Sequence, residues 1–392
     1  MGWLGKYPLY TLLALSEKPA QCKQWQILLM ALALALAMGL AWGAATGSPV
    51  LAWAVVLGLA AFAAADWALL ASLPRWGISF GAVQSPWSGL ILARWLLVLV
   101  GTPAAVRWPL PTMAGLATLQ AAIWGLVAYG TLVEPFRLQV TNLDLSSDKL
   151  SNPGKPLRIA HLSDLHVERL TRRDRALPPL VAGLAPDLVV LTGDFLNASY
   201  NADPLALADL GALLGQIHAP GGTYAVWGTA EVDLPHLLRP VLQDAGVFVL
   251  ADQAVEVTIQ DHRLWLMGVS CSRDLAADGA RLRSLMAGAP PGALTLLLYH
   301  TPDLMPQAAS LGVDLYLAGH THGGQWRLPG FGAILTSSHY WKRYEAGCYH
   351  EAGTHLYVSR GLGMEGYGAP RARFFCPPEL VSITLLGKAE RG

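Results

Sequence analysis

The chain has 392 residues, with 27 Lys and Arg against 27 Asp and Glu, so no net basic field marks it for nucleic acid. Its hydrophobic fraction of 53% and mean hydropathy of +0.38 are high for a soluble protein, and the excess sits in the first third, where only nine charged residues precede Phe136. The four cysteines, Cys22, Cys271, Cys348 and Cys376, form no CxxC pair and no close spacing, which argues against a disulfide framework or a zinc knuckle.

Residues 1–24 read as an N-terminal cytoplasmic or interfacial segment, with the apolar stretch Tyr7–Leu15 too short to span a bilayer. Residues 25–134 read as four transmembrane helices at Gln26–Thr46, Val50–Leu73, Trp87–Val106 and Met113–Val133, each near the ~20 apolar residues needed to cross the hydrocarbon core. The first is expected to be retained, because a long segment precedes it and no cleavage-site pattern ends it. Lys6, Lys18, Lys23 and Arg75 fall on one side and Arg107 on the other. The positive-inside rule then predicts a cytoplasmic N-terminus and, for an even number of spans, a cytoplasmic C-terminal domain. A count of three spans, suggested by Arg94, Gly101 and Pro103 inside the third segment, would invert that side. Asp66 and Arg94 lie at matching depths, roughly 12 Å below the same face at ~1.5 Å per residue, and are expected to pair across a helical hairpin.

Residues 135–156 form a loop-rich linker with a first strand near Leu138–Leu145. From residue 157 to 392 strands and helices alternate. Strands are predicted at Arg158–Leu162, Leu188–Thr192, Thr223–Trp227, Val247–Leu250, Val255–Ile259, Leu264–Val269, Thr295–Tyr299, Leu315–Ala318, His355–Ser359 and Leu380–Leu386. Helices are predicted at Arg175–Leu184, Leu205–Gln216, Leu234–Asp244, Ala277–Ala287 and Asp303–Ala309. Early βαβ alternation followed by closely spaced strands implies mixed sheets flanked by helices, an α/β class.

Polar clusters end four of the apolar runs: Asp164 and His166 after LRIAHL, Asp194 after DLVVLT, His300 after ALTLLLY, and His320 and His322 after LYLA. Ligands collect at the carboxyl ends of strands in open α/β sheets, so this placement predicts one convergent site. If extended geometry persists past the first strand, Asp164 and His166 point the same way. Two Asp and four His, with no thiolate, suit Mn²⁺, Fe or Zn²⁺. Six ligands exceed one tetrahedral site, so two divalent ions sharing a carboxylate are expected. Two such ions ~3.5–4 Å apart form a clamp for in-line displacement at phosphorus.

The ordered set DLH, GD, YH and GHTH resembles the calcineurin-like metallophosphoesterase family over roughly Leu157 to Leu386. GHTHGGQ at Gly319–Gln325, SRGLG at Ser359–Gly363, Arg371 and PEL at Pro378–Leu380 also resemble its membrane-associated bacterial branch, which includes lipid-linked UDP-sugar pyrophosphatases. The resemblance implies an αββα sandwich of two mixed sheets following the all-α membrane region, with a dinuclear site. Asp164, His166 and His322 would hold one metal, Asp194 would bridge, and His300 and His320 would hold the second, with Asp194 and His320 as the catalytic positions. It also implies a multi-pass protein of a bacterial inner membrane, acting as a hydrolase on a phosphorylated small molecule or lipid-linked substrate. Arg371 is a candidate phosphate contact, and Arg373 a second, since guanidinium matches phosphate oxygens bidentately.

One motif departs from the family. Where the family carries Gly-Asn-His-Asp/Glu, this chain reads Gly228-Thr229-Ala230-Glu231. Thr229 is a shorter, weaker ligand than Asn, and Ala230 does no acid–base work, a loss that typically costs ~10²–10⁴-fold. Rescue by Glu231 or Asp233 is one expectation. Two functions remain: a phosphodiesterase or pyrophosphatase of reduced activity, favouring leaving groups that need little protonation, or a degenerate metal- and phosphate-binding sensor or scaffold. His161 reads as a core or supporting residue. Tyr340-Trp341-Lys342-Arg343-Tyr344 reads as either an interfacial anchor or a solvated loop.

Overall fold

The computed structural model describes Leu15 and residues 18–150, 154–365 and 371–387. Residues 7–14 of the apolar stretch Tyr7–Leu15 lie outside them. The described chain divides into two compact units, one of residues up to 133 with Arg371 and Ala372, the other of residues 134–365 with 373–387.

The first unit contains α1 (Gln24–Thr46), α2 (Pro49–Ser72), α3 (Gln84–Ala105) and α4 (Pro109–Leu132). All four are long and apolar enough to cross a membrane. Ser48 caps α2 by accepting from the Leu51 amide, and Pro49 and Pro109 occupy first-turn positions where a missing N–H costs nothing. α3 is continuous through Arg94 and Gly101 and carries Pro103 near its end, so the interruption read from sequence does not break the helix.

Arg94 is neutralised where it stands. Its guanidinium donates to both Asp66 oxygens at 2.6 and 2.8 Å, and to the Gln120 carbonyl and side-chain oxygen at 2.9 and 2.8 Å. Gln120 returns its amide to the Arg94 carbonyl at 3.1 Å. One buried cluster thereby joins α2, α3 and α4, a wider brace than the hairpin expected from sequence. Removing one partner of a buried pair leaves an uncompensated charge, at a cost of about 3–5 kcal/mol. An Asp66→Asn variant should therefore show a clearly lower thermal midpoint in detergent; an unchanged midpoint would remove the structural role of the pair.

The second unit holds two six-stranded sheets. The first has the order β1 (Gln139–Ser147), β14 (Glu379–Gly387), β2 (Leu157–Leu162), β3 (Leu188–Leu191), β4 (Thr223–Ala225), β5 (Val247–Val249). The second has the order β12 (Gly347–Glu351), β13 (Thr354–Val358), β9 (Leu315–Ala318), β8 (Leu294–Leu298), β7 (His262–Gly268), β6 (Gln253–Ile259). Both are mixed: β14 is antiparallel to β2, β12 to β13 and β6 to β7, while β2 to β5, and β7, β8, β9 and β13, run parallel. β10 (Arg327–Leu328) and β11 (Gly332–Ala333) form a separate small hairpin. The strand expected in 135–156 is β1, and it is the edge of the first sheet.

The near-continuous apolar runs follow from burial on both faces. Period-two alternation splits each strand between two cores. Leu157, Ile159, Leu188, Val190, Leu294, Leu296, Leu315 and Leu317 meet between the sheets. Ala160, Leu162, Val189 and Leu191 face outwards to α5 (Arg172–Leu184), α6 (Pro204–Leu214) and α7 (Pro235–Asp244) through Leu177, Leu210 and Leu238. Leu297, Tyr316 and Val358 face α8 (Leu275–Ala287) and α9 (Met305–Leu311) through Leu282 and Met305. The result is the four-layer αββα order. Each fully buried Leu or Ile contributes about 1.5–3 kcal/mol, enough to fix which residues end up at the strand tips.

Candidate metal centre

The carboxyl ends of β2, β3, β8 and β9 deliver six side chains to one place. Their ligand atoms form two groups, Asp164 with His166 and His322, and Asp194 with His300 and His320, each within 4.8 Å internally. Asp194 reaches both, with Oδ2 3.4 Å from His300 Nε2 and 3.6 Å from His166 Nε2. Five of the six are buried, and His320 is only partly so, which puts the solvent side of the centre at His320.

Extended geometry does not persist past β2. Asp164 and His166 are both left-handed, at φ 52 and 44°, and so are Asp194, His320 and His322 at 56, 68 and 51°. Such conformations are costly for residues with a Cβ and survive only where surrounding bonds fix them. Here the two loops bind each other through the backbone. The amides of Asp164, His166 and Val167 donate to the carbonyls of Gly193, Asp194 and Phe195 at 3.0, 3.1 and 2.9 Å. Gly193 and Gly228 lie so close that a Cβ on either would overlap the other loop, and one on Gly228 would also strike the Asp194 carboxylate.

The supporting bonds orient the rings. His300 Nδ1 donates to the Thr192 carbonyl at 2.7 Å, which directs Nε2 into the centre. His166 Nδ1 faces the Leu196 carbonyl at 3.3 Å and Glu365 Oε2 at 3.4 Å, so its Nε2 points inwards too. His166 Nε2 then stands 3.0 Å from His322 Nε2, and His300 Nε2 3.1 Å from His320 Nδ1. Pairs of imidazole nitrogens facing at such distances, among two carboxylates, are what converging metal ligands look like. His322 Nδ1 is buried with no hydrogen-bond partner, so the ring is held for its other nitrogen. These residues fit two divalent cations, one per group.

The charge balance agrees. Burial would raise the Asp194 carboxyl, but the charge of His300, the bond to it, and His166 and His320 hold it well below its usual range. Burial would lower His300, but Asp194 and then Asp164 hold it up, to about 10. Burial and the charge of His300 push His320 down to about 3, and burial with His166 and Arg373 keeps His322 neutral. Burial raises Asp164. The cluster favours positive charge at His300, where a cation would neutralise the carboxylates.

Thr229 is at the edge of the second group, with its hydroxyl 3.3 Å from both Asp194 Oδ2 and His300 Nε2 and its amide donating to Asp194 Oδ1 at 2.6 Å. Ala230 is exposed. Neither neighbour replaces the absent imidazole as a proton donor. Glu231 is largely exposed and engaged by Arg273, and Asp233 is buried, its carboxylate accepting from the amides of Asp194, Phe195 and Gly228 at 2.9, 2.9 and 2.7 Å. Burial and Asp194 raise Asp233 to about 7. Its work is to hold the Asp194 loop.

Arg373 is not available to a phosphate. It is fully buried and donates to the carbonyls of Arg360, Gly361, Gly363 and Cys376, fixing the loop that lies behind Asp164 and His166. Arg371 belongs to the helical unit, where its guanidinium packs on Gly81. His161 is buried in β2 and bonds Thr192 Oγ1 at 2.8 Å, a supporting place, with its pKa pushed down to about 4 by burial. Tyr344 is buried while Trp341 is exposed, so the aromatic run 340–344 is divided between core and surface. Sequence reasoning missed Glu365 and the structural role of Arg373; both follow the SRGLG run, whose glycines were the available signal.

Residues 157–324 match the calcineurin-like phosphoesterase family. The chain is 31% identical to the phosphodiesterase YaeI of Escherichia coli (strain K12), over 59% of this chain and 83% of that protein. It is 31% identical to a metallophosphoesterase of Aquifex aeolicus (strain VF5), over 67% of this chain and 97% of the relative. It is also 28% identical to a bovine (Bos taurus) transmembrane protein with a metallophosphoesterase domain, over 66% of this chain and 59% of that one. With the sandwich and the clustered ligands, these matches make the chain a metallophosphoesterase. It belongs to the calcineurin-like family, with four membrane-type helices ahead of the family domain.

Proposed function

We propose that the chain is a membrane-anchored, two-metal hydrolase of a pyrophosphate or phosphodiester bond in a nucleotide- or lipid-linked substrate. The observation that carries this reading is the pair of three-ligand groups that Asp194 spans. Divalent cations held there supply Lewis-acid neutralisation of phosphoryl oxygens and lower the pKa of the attacking water. Mn, Fe or Zn suits the mixed carboxylate and imidazole set. In this reading Asp194 links the two groups, and His320, the least buried ligand, faces the reacting phosphorus. Thr229 is a weak ligand at best. Ala230 leaves the departing group without a proton donor, which favours a phosphate or nucleotide leaving group over an alkoxide.

Surface chemistry supports an amphiphilic substrate. The segment that follows His322 exposes Leu328, Phe331, Ile334, Leu335 and Trp341, with the Lys342 ammonium 3.4 Å over the Phe331 ring. Ser337 bonds the His320 carbonyl and Thr321 the Glu345 carbonyl, at 2.9 and 2.7 Å, which ties this apolar segment to the metal ligands. The basic residues flanking the spans support a domain on the cytoplasmic side of a bacterial inner membrane.

The test is metal content and Mn²⁺-dependent hydrolysis on one purified preparation. An aryl phosphodiester would be compared with a nucleoside-diphosphate lipid. About two metals per chain and a higher kcat/KM on the diphosphate are expected. Two metals with no turnover on either substrate would favour the degenerate binding protein, and no bound metal would end both readings.

A further inference from the structure

Three parallel strands of the second sheet end side by side, and two of them lead to candidate ligands: β8 to His300 and β9 to His320. The third, β7, leads through Val269 and Ser270 to Arg273. Arg273 adopts a left-handed backbone at φ 65°, as do five of the six metal ligands. The turn that presents it is pinned. The Ser270 amide donates to Asp252 at 2.8 Å and the Ser272 amide to Asp278 at 3.0 Å. Its guanidinium donates to both Glu231 oxygens, at 3.1 and 2.7 Å. Glu231 stands two residues beyond Thr229, whose hydroxyl touches Asp194 and His300. The Arg273 side chain is 25% exposed against 63% for Glu231, so the cation is the more buried member of the pair. The charge of Arg273 is near enough to be felt at His320.

A surface salt bridge needs none of this. An exposed pair contributes at most about 1 kcal/mol. A fixed cation beside a phosphoryl site has a chemical use beyond that. It balances the charge on non-bridging oxygens, and its planar fork pairs with two of them.

We propose that Arg273, clamped by Glu231, contacts the non-bridging oxygens of the substrate phosphoryl group on the side of the centre where Ala230 offers no donor. The proposal rests on the hydrolase reading above. Arg273 supplies charge and orientation but no proton. It therefore restores phosphate binding lost with the imidazole, and does not restore leaving-group protonation. Glu231 is a positioning residue in this scheme.

The test uses full-length protein in detergent with Mn²⁺, comparing wild type, Arg273→Ala, Arg273→Lys and Glu231→Gln. Metal content, inorganic phosphate affinity by calorimetry, and kcat/KM on aryl phosphodiesters of graded leaving-group pKa would be measured. Arg273→Ala should weaken phosphate binding and lower kcat/KM by about 10–100-fold with metal content unchanged. Lys should recover part of the loss, Glu231→Gln should show a smaller one, and the slope against leaving-group pKa should not change. Wild-type phosphate affinity in Arg273→Ala, or a loss of metal, would overturn the proposal. A steeper leaving-group slope would show a proton-transfer role and overturn it too. If wild type itself neither hydrolyses substrate nor binds phosphate, the hydrolase reading fails and takes this proposal with it.

Discussion

An Asp194→Ala chain is expected to lose turnover by ~10³-fold or more and to bind less than its full complement of metal. The Asp194 carboxylate lies close to a histidine of each group, 3.4 Å from His300 and 3.6 Å from His166. Its removal leaves four imidazoles and one carboxylate. The fold should survive, because Asp233 still accepts the amides of residue 194, Phe195 and Gly228. A proton readout accompanies the loss. In metal-free protein His300 is held protonated, with a pKa of about 10, against the burial that would lower it, by Asp194. A ligand must give up that proton, so metal uptake at neutral pH should release protons and weaken as pH falls. Without Asp194 the His300 pKa drops, and the release should shrink. Calorimetry in two buffers of different ionisation enthalpy measures it directly. Full turnover with two metals retained would show that Asp194 does not link them.

The double replacement Thr229→Asn with Ala230→His should produce a gain. Asparagine reaches further than threonine towards the second group, which Thr229 Oγ1 meets only at 3.3 Å from both Asp194 and His300. A histidine at exposed position 230 supplies the missing proton donor without displacing packed atoms. Hydrolysis of phosphodiesters with poor leaving groups should rise by about 10²–10⁴-fold, while diphosphate hydrolysis changes little. Steady-state rates on a graded series of esters test this. An equal rise on all substrates would mean metal affinity, not protonation, was limiting.

Much of the architecture was legible in sequence because two physical signals were strong. Long charge-poor runs marked the four helices, and doubly buried strands such as Leu188–Leu191 read as unbroken apolar stretches. Ligands at strand ends followed from position alone. The short strands β10 to β12 were missed because Arg327–Leu328 and Gly347–Glu351 are half-exposed and carry no apolar alternation. The role of Arg373 was also misread. A buried arginine and a phosphate-binding arginine share one letter, and only the carbonyls of Gly361 and Gly363 distinguish them. The geometry of Asp164 and His166 was opaque for a similar reason, since left-handed backbone at an Asp or His leaves no compositional trace.

The place of β14 sets an order of events during synthesis. This strand lies between β1 and β2 in the first sheet, although it is made more than two hundred residues after either. Glu379 at its start also accepts from Thr141, Tyr357 and the Arg360 amide. The apolar helices emerge from the ribosome first and can enter a bilayer at once, whereas β1 and β2 must wait with an open gap between them until the last strand is released. Metal-ligand loops that depend on β2 are therefore completed late. The facing edges of β1 and β2 stay unpaired for most of the domain's synthesis.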